Sequence, residues 1–248
     1  MSAWSWDQRI ERAAELEKTW PAVREVLRFY GELATFQKEL FTRLKSDRTL
    51  KDDPDLGLLL PEFASLICLV LRVGPPRLAE AVAELSEGVL MAYWRGEPQD
   101  EAEAFIGRAL LQPYAERLAQ SAQIPRKSAQ PACPLCDRQP QVGVLRPEGY
   151  GARRSLLCSL CSTEWDFPRI TCPACGESTF EKLSVYTAAE FDHVRVEACD
   201  TCQHYIKTVD LTKNGLAVPV VDELAAIPLD LWAEERGYRK LQPNLLGM

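Results

Sequence analysis

Apolar residues along the first 120 positions recur at spacings of three and four, while after Cys133 they fall into short runs separated by turn residues. Ser5 and Gln8 have the form of a capping box ahead of a run rich in Ala, Glu and Leu that ends near Trp20. Pro21 suits the first turn of a second helix. In that helix Val23, Val26, Leu27, Tyr30, Leu33, Phe36 or Gln37, Leu40, Phe41 and Leu44 make one apolar stripe. Asp52 to Asp55 reads as a loop. A buried segment over about 60–73 follows, stopped by Gly74, Pro75 and Pro76. Two further helices fit 76–95 and 99–120, and Asp100, Glu101 and Glu103 sit at the positive end of the second.

Residues 121–132 have the composition of a linker. Beyond them, the runs at 141–145, 155–157, 182–186, 194–197 and 205–209 predict strands. The tail predicts a helix over 221–237, restarted at Pro228 and stopped by Gly237. The expected fold is α+β: an all-α domain over 1–120, a linker, two small β modules over 133–171 and 172–248, and a helix closing the second.

Cysteine placement changes the picture most. Of nine cysteines, eight form four pairs with two intervening residues: Cys133/Cys136, Cys158/Cys161, Cys172/Cys175 and Cys199/Cys202. Such a turn aims two thiolates at one point, and two facing turns complete a tetrahedron around a metal ion. The gaps between successive pairs are 21, 10 and 23 residues. Each long gap can hold a hairpin, so the first two turns are paired into one site and the last two into another, with an interleaved arrangement as the alternative. A redox dithiol uses one such pair at a helix N-terminus, and four pairs among short strands do not fit it. Eight ligands for two ions leave no open position, which points away from catalysis at the metal. Thiolate tetrahedra suit zinc and iron alike. Cys68, in an apolar helix, is expected to be a buried small hydrophobe.

Other chemistry is sparse. There is no phosphate-binding Gly-rich loop and no nucleophile elbow, and His193 and His204 are the only histidines. Either could donate a hydrogen bond to a sulfur, but an ordinary surface or packing role is the expectation. Arg146, Arg153, Arg154 and Arg169, with Trp165 to stack, could make a nucleic-acid surface or recognise an acidic protein. Against nucleic acid, residues 121–248 hold 14 Lys and Arg against 16 Asp and Glu, and the whole chain carries a net charge of −7. The charged N-terminus shows no signal peptide. The most apolar run, 63–73, is about half the ~20 residues of a membrane span. A cytoplasmic protein with reduced thiols is expected.

The run Cys158-Ser-Leu-Cys-Ser-Thr-Glu-Trp165 with Arg169-Ile-Thr-Cys172 resembles the core signature of the FdhE family of formate dehydrogenase accessory proteins. Ala198-Cys-Asp-Thr-Cys-Gln-His-Tyr-Ile-Lys207 is similar to the family's fourth pair, and Val221–Ala225, Leu229-Asp230, Gly237-Tyr238 and Pro243-Asn-Leu245 are similar to its tail. The resemblance is dense from Cys133 to Leu245 and only architectural before it, where the chain is shorter than many relatives. Asp137 stands where relatives usually have Gly after the first pair, and Leu157 where many have His before the second. The resemblance implies a non-enzymatic maturation factor that binds the catalytic subunit of a molybdenum or tungsten formate dehydrogenase in the cytoplasm before export. It also implies rubredoxin-like modules with iron at Cys133, Cys136, Cys158 and Cys161 and at Cys172, Cys175, Cys199 and Cys202, zinc being the alternative. Rival classes are a rubredoxin-type electron carrier and a nucleic-acid-binding ribbon.

Overall fold

The structure, a computed structural model, describes residues 4–44, 52–122 and 130–248. Residues 123–129 of the expected linker lie outside them. Six helices come first: α1 (Trp6–Thr19), α2 (Arg24–Arg43), α3 (Leu56–Val73), α4 (Pro76–Val82), α5 (Val89–Arg95) and α6 (Glu101–Ala119). Six strands follow: β1 (Pro140–Glu148), β2 (Gly151–Cys158), β3 (Glu164–Asp166), β4 (Leu183–Thr187), β5 (Val194–Cys199) and β6 (His204–Asp210). The chain closes with α7 (Pro219–Ala225), α8 (Ile227–Glu234) and β7 (Arg239–Lys240). The α+β class is as expected.

Local rules explain most boundaries. Ser5 caps α1 reciprocally with Gln8, and Asp100 caps α6 in the same way with Glu103. The span 76–95 is two helices rather than one, because Ser86 and Gly88 are poor helix formers. The break lets α4 bury Val82 and α5 bury Val89 and Leu90. The tail splits at Ala226, with Pro228 in the first turn of α8.

Helix α3 is longer than its apolar run suggests. Its 18 residues make it, by length and composition alone, one helix among the described residues long and apolar enough to cross a membrane. Only Leu59, Phe63, Leu66 and Val70 are buried, spaced by four, three and four. Cys68 falls off that stripe and is exposed, contrary to the buried placement expected for it.

One mixed sheet carries both cysteine-bearing halves, in the order β3-β2-β1-β6-β5-β4, with β7 joined to β6. β1 and β2 form a hairpin, as do β5 and β6, and a parallel pairing of β1 with β6 over 143–145 and 208–210 unites the two. Gly143 is required at that junction. A Cβ there would lie 2.2 Å from Thr208 Oγ1, closer than any real contact. One sheet face buries Val142, Val144, Val194, Val196 and Val209 completely, with α7 laid against β1 and β6.

The helical half is fastened to this sheet by buried charge. α6 is buried nearly all round, and Arg108, Gln112 and Glu116 form a polar stripe at i, i+4 and i+8. Glu116 takes a bidentate pair from Arg9 of α1, at 2.8 and 3.0 Å, and a 2.6 Å bond from the Ser162 hydroxyl. Arg108 donates to the carbonyls of Ser159 (2.9 Å) and Pro243 (2.8 Å) and to Gln141 Oε1. Arg12 of α1 reaches Asp222 of α7 at 2.6 and 3.0 Å. Lys207, fully buried on β6, donates to Asp230 (2.6 Å) and to the Glu223 carbonyl (2.6 Å), tying α7 and α8 to the sheet. Burial pushes the Glu223 carboxyl up, but Lys207 and Lys240 overcome it and hold it at about 2.

Removing one partner of a buried pair strands the other charge, at a cost of about 3–5 kcal/mol, whereas replacing both with apolar groups of similar volume is often near neutral. Glu116→Ala should lower unfolding stability by that amount in urea titration, and Arg9→Met with Glu116→Leu should recover most of the loss. A single-variant loss below about 1 kcal/mol, typical of an exposed pair, would contradict the packing described.

Candidate metal centres

The four cysteine turns are built alike. Each presents its second cysteine one residue before a left-handed backbone position: Asp137 (φ 60°), Ser162 (φ 52°), Gly176 (φ 78°) and Gln203 (φ 57°). Only glycine adopts this conformation freely, and short polar residues tolerate it best among the rest. This explains why a short polar residue, Asp, serves at position 137. The turns share their hydrogen bonds as well. The N–H groups of Asp137, Gly176 and Gln203 donate to the carbonyls of Cys133, Cys172 and Cys199. Those of Cys133, Cys158 and Cys172 donate to the carbonyl five residues on.

Hairpin geometry then brings the turns together in pairs. The register of β1 and β2 sets Pro140 opposite Cys158, so the turn before β1 meets the turn after β2 at one end of the hairpin. The β5–β6 hairpin ends in the turn Cys199–Cys202. Its partner is Cys172–Cys175, delivered by the segment that follows β3.

The eight paired cysteines fall into two groups, Cys133, Cys136, Cys158 and Cys161, and Cys172, Cys175, Cys199 and Cys202, with every sulfur within 4.8 Å of the others in its group. The sequential pairing holds and the interleaved one does not. In the first group, Cys133–Cys161 and Cys136–Cys161 are 3.5 Å apart and Cys136–Cys158 is 3.3 Å. In the second, Cys172–Cys202 and Cys175–Cys199 are both 3.7 Å. A tetrahedron with metal–sulfur bonds of about 2.3 Å has edges of about 3.8 Å, so the donor sets fit one ion each. These separations are also far beyond the ~2.05 Å of a disulfide.

Backbone N–H groups complete the shell. Leu135 and Leu160 face the sulfurs of Cys133 and Cys158 at 3.5 and 3.4 Å, and Ala174 faces that of Cys172 at 3.3 Å. The Thr163 hydroxyl lies 3.1 Å from Cys161 Sγ. In the first group, hydrogen bonds from Cys136, Cys158 and Cys161 hold the Cys133 thiol well down, while burial drives Cys158 well up. Thiols packed this closely share one negative charge readily but not four, so full ionisation calls for a cation among them. The two groups differ in exposure. Three of the first four cysteines are buried, whereas Cys175 is exposed and Cys202 partly so.

Neither imidazole bonds a sulfur, although the backbone N–H of His204 faces that of Cys202. His204 Nδ1 is 2.9 Å from the Cys202 carbonyl, and His193 Nε2 is 2.8 Å from Asp222, whose hydrogen bond raises the imidazole above its ordinary value. The arginine patch is largely spent within the protein. Arg146 is bidentate to Glu164, Arg153 binds Asp166 and Arg154 binds Glu197. Trp165 is buried, donating to the Gln130 carbonyl, and cannot stack on a base as the sequence had suggested. Sequence reading missed these left-handed residues, although the position after each pair was their signal.

Known proteins agree with this architecture. Residues 132–169 match the family model described as FdhE, central domain, and residues 170–246 match FdhE, C-terminal domain. The chain is similar to the FdhE homolog of Aquifex aeolicus, at 26% identity over 96% of this chain and 94% of that protein. It is 33% identical to the homolog of Pseudomonas putida, over 57% of this chain and 47% of that protein. The crystal structure of the FdhE protein from Pseudomonas aeruginosa superposes with a TM-score of 0.77 at 26% identity, covering 97% of this chain and 95% of that one. The FdhE family is therefore the one these likenesses support, by both domain models over residues 132–246 and by fold over nearly the whole chain.

Proposed function

We propose that this protein is a non-catalytic accessory factor for a respiratory molybdenum or tungsten formate dehydrogenase, binding its catalytic subunit in the cytoplasm before export. Two four-cysteine groups, each offering four sulfurs to a single ion, carry the reading. Such sites hold a fold together but offer no vacancy for substrate. Cys133, Cys136, Cys158 and Cys161 would hold one ion, and Cys172, Cys175, Cys199 and Cys202 the other. Iron is the ion that the family resemblance implies, and zinc fits the same donors. Bound metal would clamp the ends of the two hairpins and so fix the sheet against which α6 and α7 rest.

The exposure of Cys175 supports a second reading, an electron carrier of rubredoxin type, since an ion there would lie near the surface. Visible absorption that bleaches reversibly on reduction would favour it. A colourless zinc protein from the native host would dispose of it.

Cys172→Ser should remove one ion per chain and leave the other, because binding and local folding are one equilibrium at such sites. His204→Ala should leave both ions in place. Elemental analysis of each purified variant checks this, and unchanged metal in Cys172→Ser would overturn the ligand assignment. Affinity-tagged holo-protein should also capture the formate dehydrogenase catalytic subunit from cells that make the enzyme. No capture under those conditions would refute the accessory reading.

A further inference from the structure

Beside the second cysteine group lies a cleft of about 320 Å³, open on the sheet face away from α7 and α8. Leu183 and Val185 of β4 and Ile206 of β6 line it, and Ile170 and Phe180 overhang it from the connecting segment. Three of these apolar side chains face water: Ile170 is 51% exposed, Phe180 70% and Val185 53%. Apolar side chains gathered at one concave site mark a place for a partner rather than ordinary surface scatter.

The strand forming one wall is the last in the sheet. β4 pairs with β5 on one side, and no strand among the described residues pairs with its other side. Natural edge strands are normally blunted by Lys, Pro or a bulge. β4 reads Leu-Ser-Val-Tyr-Thr, uncharged and free of proline, and its pairing with β5 runs in unbroken register from Leu183 to Thr187. Leu183 and Val185 point to the cleft, whereas Tyr186 packs on Trp232 of α8 with ring centroids 4.6 Å apart.

Charge in the cleft is unbalanced. Arg154, Arg169 and Arg195 line it, with Glu197 the one carboxylate among the lining residues. Arg154 reaches Glu197 at 2.6 Å, and Arg195 binds the same carboxylate through Nε and Nη2. That group is therefore saturated. Arg195 Nη1 has no acceptor among the described residues, and Arg169, which is exposed, makes one hydrogen bond, 3.2 Å to the Ala152 carbonyl. A metal-bound thiolate group behind Cys172 and Cys199 would repel an acid from that wall, leaving Arg169 and Arg195 as the place for a carboxylate.

We propose that β4 and this cleft receive an extended segment of a partner protein, added as a strand to the free edge of β4. Main-chain bonds to the edge would supply affinity. Alternate apolar side chains would enter between Val185, Ile170 and Phe180, and one acidic side chain would meet Arg169 and Arg195. The inference rests on the reading that this protein binds a client chain, and it places that client's contact on the second cysteine half.

The probe is a degenerate ten-residue peptide library with Val, Ile or Leu at alternate positions and one fixed Glu, set against the same library with Lys in its place. Metal-loaded full-length protein should bind the Glu library at least tenfold more tightly, by fluorescence anisotropy, and amides 183–187 should gain at least tenfold protection in hydrogen exchange. Arg169→Glu and Val185→Lys, both at exposed positions, should each weaken binding tenfold or more with metal content unchanged. Equal binding of the two libraries, or no protection on β4, would overturn the proposal. Protection of β4 by raised protein concentration alone would also overturn it, identifying the occupant as a second copy of this chain. Capture of the catalytic subunit separates the two readings. If wild type and Arg169→Glu capture it equally, the cleft is not the contact and the accessory role stands. If the peptide results hold but wild type captures no subunit, the cleft stands and the accessory role fails.

Discussion

Glu116 sits inside the protein with Arg9 of α1 on one side and the Ser162 hydroxyl on the other, joining three segments far apart in the chain. A buried carboxylate without such partners would cost several kcal/mol, so the arrangement allows little freedom. α1 must hold Arg9 within reach of α6, and the turn after the second cysteine pair must bring Ser162 to the same carboxylate. Ser162 is also one of the left-handed residues that end the cysteine turns. The backbone shape needed to aim two sulfurs is thus the same shape that delivers a hydroxyl to Glu116. Arg108, one helical turn plus another back along α6, holds the Ser159 carbonyl of the same turn. The helical half and the first cysteine group are therefore mutually dependent, rather than beads on a linker.

Much of this was legible in the residues, because its rules are local. The Ser5 capping box, the α2 stripe and the cysteine spacing depend on neighbours within a few positions, and each led to the right element. The grouping of the cysteines was legible too, since loop lengths alone favour the sequential pairing. What stayed hidden depends on contacts across the chain. Nothing near Arg108 and Glu116 in the chain reveals that their partners lie in α1, β1 and the cysteine turns. The parallel join of β1 to β6 was equally out of reach. Two separate modules and one continuous sheet have the same local patterns, and only the missing side chain of Gly143 hints at close approach. Cys68 went astray because a strongly apolar helix suggested burial on all sides, whereas α3 buries a single stripe.

The two cysteine groups share a plan but not an environment. The first lies under α6, with three of its sulfurs shielded, and is positioned to stabilise the junction between the halves. The second lies out along the sheet, with Cys175 at the surface, an open edge strand beside it and a cleft that its own Cys172 and Cys199 help to line. The same cysteine turn, used four times, thus gives one group placed at the junction of the halves and another beside an open cleft.

The central claim is that each group of four thiolates encloses one ion completely. X-ray absorption spectroscopy on protein purified from its own host, with metal counted on the same sample, examines this directly. The account predicts two ions per chain, each with four sulfur neighbours at about 2.3 Å and no lighter atom in the shell. A shell containing nitrogen or oxygen, or a chain folded at full stability with no metal at all, would contradict it.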